Sequence, residues 1–247
     1  MSRAFVTAAL NMSPNWCTHL PRDVGVIVVA AGSSVRFGGE VPKQYHELAG
    51  TPILLHALRP FTSHSDVAQV VVVLRAEDAL APPEWLASLQ SEVLVVAPGG
   101  ATRMASVAAG LARLCQACTV VLVHDGARPF PPREVIDEGI AVARRGTSAV
   151  PALPVAETIK RADGFGRVVG SVPRDGLWLA QTPQAFPREI LQRAHQAAGH
   201  GDMVATDDAM LVELLGAHVD LIPGSPRNIK ITTANDLALA TWYLGRE

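Results

Sequence analysis

Val24-Gly25-Val26-Ile27-Val28-Val29-Ala30-Ala31-Gly32-Ser33-Ser34-Val35-Arg36-Phe37-Gly38-Gly39 sets an apolar, β-branched run directly against a turn of small residues. A run that short and that apolar reads as a strand buried on both faces. The same kind of segment returns at Val70-Leu74, Val93-Val96, Val120-Val123 and Ala149-Leu153, with amphipathic stretches between. Parallel strands need a long crossover, usually a helix, and helices on both faces leave no wet side to the sheet. The alternation therefore predicts an α/β fold.

Helix ends are legible between these strands. Thr51-Pro52 predicts a helix start, as does Pro132, whose helix should end before Gly146. Thr206 is the expected cap of a helix over Asp207 to Leu215 that Gly216 stops, and a last helix is expected from about Ala234 to Leu244. Between Glu157 and Val172 the alternation fails, and Asp163-Gly164 separates two short extended segments, which predicts a hairpin. The expected organisation is a disordered extension over residues 1–23 and one domain over 24–247, with a β-arm at about 154–173.

Composition narrows the partners. A net charge of −2 offers no global attraction for nucleic acid or an acidic membrane, so an anionic ligand must be met by a local cluster. The longest apolar run, Val24 to Ala31, is far below the roughly 18 residues of a bilayer span. Cys115-x-x-Cys118 has redox or half-zinc spacing, but no second Cys or His pair at ligand spacing lies nearby. With Cys17, these cysteines read as idle thiols in a reducing cytoplasm.

The turn after the first apolar run can bring backbone N–H groups close to a phosphate chain, because its residues lack bulk. It matches neither G-x-x-x-x-G-K-[ST] nor G-x-G-x-x-G, which argues against a P-loop ATPase and a dinucleotide dehydrogenase. Arg36 and then Pro42-Lys43-Gln44 put two cations over that turn. Fixed cations of this kind suit a reaction in which charge builds on phosphate oxygens. Lysine is rare here: Lys43, Lys160 and Lys230 stand against 18 arginines, and each falls within a candidate motif. At the end of the run Val120-Val123, His124-Asp125-Gly126-Ala127-Arg128-Pro129-Phe130 places a carboxylate where open α/β sheets bind ligands. Asp125 is the candidate magnesium ligand, one carboxylate sufficing where a triphosphate supplies the rest. His124 reads as a structural residue that orients the turn.

The segments AAGSSVRFGGEVPKQ, PGGATRMASVAAGL, VHDGARPF, ETIKR, VPRDGLWLAQTPQAF, TDDAML and NIKITTANDLALA occur in this order from Val24 to the C-terminus. In order and spacing they resemble the 2-C-methyl-D-erythritol 4-phosphate cytidylyltransferase family of the non-mevalonate isoprenoid pathway. The resemblance implies a Rossmann-like domain with a mostly parallel sheet, helices on both faces and a protruding β-arm that interlocks in a homodimer. It implies CTP and a polyol phosphate as substrates. Arg36 and Lys43 would stabilise the transition state, with Ala30, Ala31, Gly32, Gly100, Ser106 and Gly126 along the nucleotide and Asp125 on magnesium. Arg128, Thr158, Arg174, Thr182, Thr206 and Lys230 would hold the polyol phosphate, Arg174 and Lys230 positioning it for attack. Ser34 and Ala101 depart from the family's usual small and acidic residues. A ribitol 5-phosphate cytidylyltransferase is the nearest alternative, with AAG and HDGARPF favouring methylerythritol phosphate. A non-catalytic nucleotide-binding regulatory protein would be expected to lose Arg36, Lys43 or Asp125, and all three are present.

Overall fold

The computed structural model describes residues 22–32, 42–199 and 205–245. In chain order its first half comprises β1 (Val24–Val29), β2 (Glu47–Leu48), β3 (Thr51–Pro52), α1 (Ile53–Thr62), β4 (Val67–Leu74), α2 (Ala76–Leu80), α3 (Glu84–Ala87), β5 (Leu94–Pro98), α4 (Arg103–Arg113) and β6 (Val120–Asp125). There follow α5 (Arg133–Arg144), β7 (Ser148–Pro154), β8 (Ile159–Ala162), β9 (Val168–Val172), β10 (Trp178–Ala180), β11 (Gln184–Pro187), α6 (Arg188–Ala198), α7 (Asp208–Leu214), β12 (Val219–Pro223) and α8 (Ala234–Leu244).

The central sheet runs β10-β7-β11-β6-β1-β4-β5, with β12 on the other edge of β7. Its half around β1 is parallel, β6, β1, β4 and β5 all pointing one way. The other half is mixed: β11 enters antiparallel between β6 and β7, whereas β12 pairs β7 in parallel.

Period-two alternation explains the layers. Val24, Val26 and Val28 of β1 join Val70, Val72, Leu122 and the apolar faces of α1 and α5 on one side. Ile27 joins Val71, Val73, Val121, Val123 and the faces of α4, α6 and α7 on the other. Both faces of the sheet are covered, which is why these strands read as continuous apolar runs.

Most strand and helix boundaries fall within a residue or two of expectation, and three of the differences have identifiable reasons. The strand expected from Val70 starts at Val67, because the buried Gln69 amide is satisfied by accepting from Cys115 N at 2.7 Å. The helix expected to be capped by Thr206 is capped by Asp207, whose extended backbone lets its carboxylate accept from Met210 N at 3.0 Å. Gly216, at φ +77°, follows that helix in the left-handed conformation glycine tolerates. The hairpin β8–β9 forms its own two-stranded sheet, but its turn spans Asp163 to Arg167, and the positive φ belongs to Gly166 rather than Gly164. Residues 1–21 of the expected extension lie outside the described residues. Arg22 and Asp23 already belong to the domain: Arg22 donates to Val67 O, and Asp23 pairs with Arg144.

Candidate functional site

Register brings the site together. Val29 pairs with Asp125 on one side and Val73 on the other, and Val73 pairs with Ala97. The carboxyl ends of β1, β4, β5 and β6 are therefore level, and the turns leaving three of them meet: Ala30–Gly32, Gly99–Gly100 and Asp125–Gly126. Backbone bonds lock the level, Ala30 N donating to Val73 O at 2.8 Å, Gly126 N to Val29 O at 2.9 Å and Gly99 N to Leu74 O at 2.7 Å. Above them opens a cavity of about 400 Å³, walled by these turns and by Lys43, Arg103, Ser106 and Lys230.

Two of the glycines stand where neighbouring atoms leave no room for a side chain. A Cβ on Gly126 would stand 3.0 Å from a Leu54 methyl and 3.2 Å from Val29 O, and one on Gly100 would stand 2.5 Å from the Ala105 Cβ. Ser106 is committed within its turn, its hydroxyl donating to Thr102 O at 2.9 Å and accepting from Gly100 N at 3.2 Å. Lys43 opens a short helical turn, Lys43–Tyr45, that the buried Gln44 fastens to the strand end by donating to Ala30 O at 2.8 Å.

Asp125 faces three cations. Lys230 Nζ lies 2.8 Å from one carboxylate oxygen, Arg128 Nε 3.6 Å from the same one, and Arg103 Nε 3.8 Å from the other. Burial pushes its carboxyl up, but Lys230, Arg103 and Arg128 together outweigh that and hold it at about 2. It is ionised at any working pH.

Behind Asp125 the polar groups form a closed chain. Its backbone N–H donates to the Thr182 hydroxyl at 3.0 Å, and that hydroxyl lies 3.1 Å from His124 Nδ1. His124 Nε2 lies 2.9 Å from the Arg128 carbonyl, which only accepts, so Nε2 carries the proton and Nδ1 accepts from Thr182. Burial pushes the imidazole down to about 4, keeping it neutral. A second set delivers Lys230: Asn228 donates to Thr182 O at 2.8 Å, Arg128 to Asn228 O at 2.7 Å, and Ile231 N to Ala127 O at 2.8 Å.

The cavity thus unites Ala30, Ala31, Gly32, Lys43, Gly100, Ser106, Asp125, Gly126 and Lys230. Thr182 and Arg128 stand behind Asp125: the Thr182 hydroxyl is occupied by donor and acceptor, and Arg128 is held by Asn228 O. Thr206, Thr158 and Arg174 are not on the cavity wall, and Arg174 is tied to Ala156 O beside the hairpin. Arg36 lies outside the described residues. Sequence reasoning passed over Arg103, the first residue of α4 after its Thr102 cap, although it stood within a quoted motif. It also passed over Gln44, whose signal was only its place beside Lys43.

The sequence model of the family described as 2-C-methyl-D-erythritol 4-phosphate cytidylyltransferase, IspD, matches residues 24–246. The chain belongs to the 2-C-methyl-D-erythritol 4-phosphate cytidylyltransferase family. It is 42% identical over 225 residues to the family member from Alkaliphilus metalliredigens, covering 90% of this chain and 93% of that one. With the member from Saccharopolyspora erythraea the identity is 45% over 221 residues, 88% of this chain and 97% of that one. Other relatives are longer: the chain spans 56% of the bifunctional enzyme IspD/IspF of Desulfotalea psychrophila, at 41% identity over 89% of its own length. The crystal structure of the cytidylyltransferase from Thermus thermophilus superposes with a TM-score of 0.75 at 35% identity, covering 90% of this chain and 98% of that one. The Rossmann-like nucleotidyltransferase fold of this family is the fold described above.

Proposed function

We propose that the chain transfers the CMP half of CTP to 2-C-methyl-D-erythritol 4-phosphate, giving 4-diphosphocytidyl-2-C-methyl-D-erythritol and pyrophosphate in isoprenoid precursor synthesis. The observation that carries this reading, given the family, is that Lys43, Asp125 and Lys230 line one cavity with a turn of small residues at the strand ends. The reaction brings two anions together. A phosphate monoester, with a second pKa near 6, is largely a dianion at neutral pH, so its oxygen needs no general base. That oxygen bonds to the α-phosphorus of CTP, and the bond from that phosphorus to the bridging oxygen of pyrophosphate breaks.

Positioning and charge neutralisation supply the acceleration. The turn Ala30–Gly32, Gly100, Ser106 and Gly126 seat the nucleotide, their small side chains leaving room for its backbone contacts. Lys43, with Arg36, balances charge on the transferring and leaving phosphates. Lys230 faces the incoming phosphate from the Asp125 side. The chemistry of the donor set fits a hard divalent ion: Asp125 is an ionised oxygen ligand on the cavity wall, and phosphates supply the others. Asp125 would hold magnesium, which supplies neutralisation of phosphate charge when bound.

The remaining assigned residues belong to a homodimer in this reading. Val168, Val169, Trp178 and Leu179 are exposed along the hairpin and the adjoining strand, an apolar surface that a second copy would bury. Thr158 and Arg174 on that surface would then complete the polyol phosphate site of the neighbour, with Thr206 at its edge. The setting is the cytoplasm, and among the described residues no helix is long and apolar enough to cross a membrane.

The test is to offer the purified protein CTP with 2-C-methyl-D-erythritol 4-phosphate or ribitol 5-phosphate and follow pyrophosphate release, repeating with ATP, GTP and UTP. We expect release with CTP and methylerythritol phosphate alone. Faster turnover with ribitol 5-phosphate would replace the acceptor, and no release with any pair would falsify the reading.

A further inference from the structure

Asp208 opens α7 and is fully buried, an unusual place for a carboxylate. Both of its oxygens are engaged from distant parts of the chain. One accepts from Arg103 Nη1 of α4 at 2.6 Å, and the other meets His195 Nε2 of α6 at 2.9 Å. Arg103 is the only one of the three on the cavity wall, where its Nε stands 3.8 Å from Asp125. The guanidinium therefore bridges the wall from the Gly100–Ser106 turn to Asp125, while its far edge is gripped from beneath.

A buried ion pair is a poor stabiliser of a fold, since apolar residues of similar volume serve as well or better. Its usefulness here lies in what it holds still. A solvated arginine samples many rotamers and loses that freedom when a ligand arrives; one pinned by a buried carboxylate has already lost it. The planar fork makes this possible, because Nη1 bonds Asp208 while Nε stands 3.8 Å from Asp125 at the cavity wall.

We infer, resting on the reading of the cavity as a cytidine nucleotide site, that Arg103 contacts the nucleotide beside Asp125, and that Asp208, backed by His195, is the positioning residue that fixes it. The phosphorylated end of the CMP moiety is the chemistry a fixed guanidinium at that place would take. Arg103 would then be a further cation of the site, alongside Lys43, Arg36 and Lys230, and specific to the nucleotide half of the reaction.

The experiment is a double-mutant cycle of Arg103→Met and Asp208→Asn, read by calorimetric titration of CMP without divalent cation and by steady-state pyrophosphate release. Each single variant should weaken CMP binding about tenfold and raise KM for CTP comparably, as loss of a charge-assisted hydrogen bond does, with KM for the polyol phosphate within about twofold of wild type. The double variant should be no worse than Arg103→Met alone, because Asp208 acts through Arg103. Arg103→Lys should recover only part of the loss, lacking the fork. If Asp208→Asn does not fold, His195→Ala takes its place in the cycle, with the same non-additivity expected. Effects that multiply in the double variant, or CMP binding by Arg103→Met equal to wild type, would overturn the inference while leaving the nucleotide site intact. A wild-type protein that binds no cytidine nucleotide would instead remove the reading on which it rests.

Discussion

Asp125 owes its ionisation to neighbours that arrive from three directions. Lys230 comes from the loop before α8, Arg103 from α4, and Arg128 from its own turn. Lys43 reaches the same cavity on the short turn that Gln44 anchors. If Lys43 balances charge that develops only during transfer, Lys43→Ala should lower kcat by at least about a hundredfold while weakening CTP binding by much less. Equal losses in both would make it a binding residue. His124 carries a stability signature. Its folded pKa, about 4, lies below the ordinary value near 6.5, so the unfolded chain takes up a proton that the native protein refuses. Stability from this residue is complete above pH 6.5 and is lost as pH falls from there to about 4, by on the order of 3 kcal/mol. Thermal melts across that window should show the fall, and His124→Gln, which keeps an Nε2 donor to Arg128 O, should flatten it. Cys118 is buried and its thiol is pushed up to about 11 by that burial, so it should resist iodoacetamide at pH 8 until the protein is unfolded. Mass spectrometry of the peptide would show the difference.

Elements carry these side chains to their places, and their ends matter most. The helix α8 begins with a capping box: Thr233 accepts from Asp236 N, while one oxygen of Asp236 accepts from the N–H groups and hydroxyls of Thr232 and Thr233. Lys230 lies just upstream, and Ile231 is buried between α8 and Leu48. Removing the box by Asp236→Ala should cost about 1–2 kcal/mol and lower the melting midpoint by a few degrees. Because Lys230 depends on that anchor, kcat should fall as well, and a variant that melts earlier with unchanged kcat would show the anchor to be local. The helix starts at Pro52 and Pro132, and the whole of α8, were legible because capping is local chemistry read from adjacent residues. The start of α7 was read one residue early, since Thr206 and Asp207 are both good caps and only the backbone direction chooses between them.

At the scale of the whole molecule, the proposed dimer rests on the exposed apolar side chains that the hairpin and β10 carry among the described residues. Deleting residues 159–172 and closing the gap with a short glycine linker should yield a monomer by analytical ultracentrifugation. Such a monomer should still bind CTP, since the cavity is built within one chain, but lose most turnover with the polyol phosphate. A dimer that survives the deletion would locate the interface elsewhere.

The α/β class, the strand-end turns and most of the cavity wall could be read along the chain, because parallel strands buried on both faces, tight glycine turns and helix caps are all written in contiguous residues. Arg103, Gln44 and the Thr182–His124 chain could not. Their meaning rests on partners 105, 14 and 58 residues away, and such pairings exist only once the sheet register has brought the strand ends level. The mixed edge was hidden for the same reason. Strand direction is set by which neighbour satisfies a backbone, so β11 pairs antiparallel between β6 and β7 without leaving any mark in its own four residues.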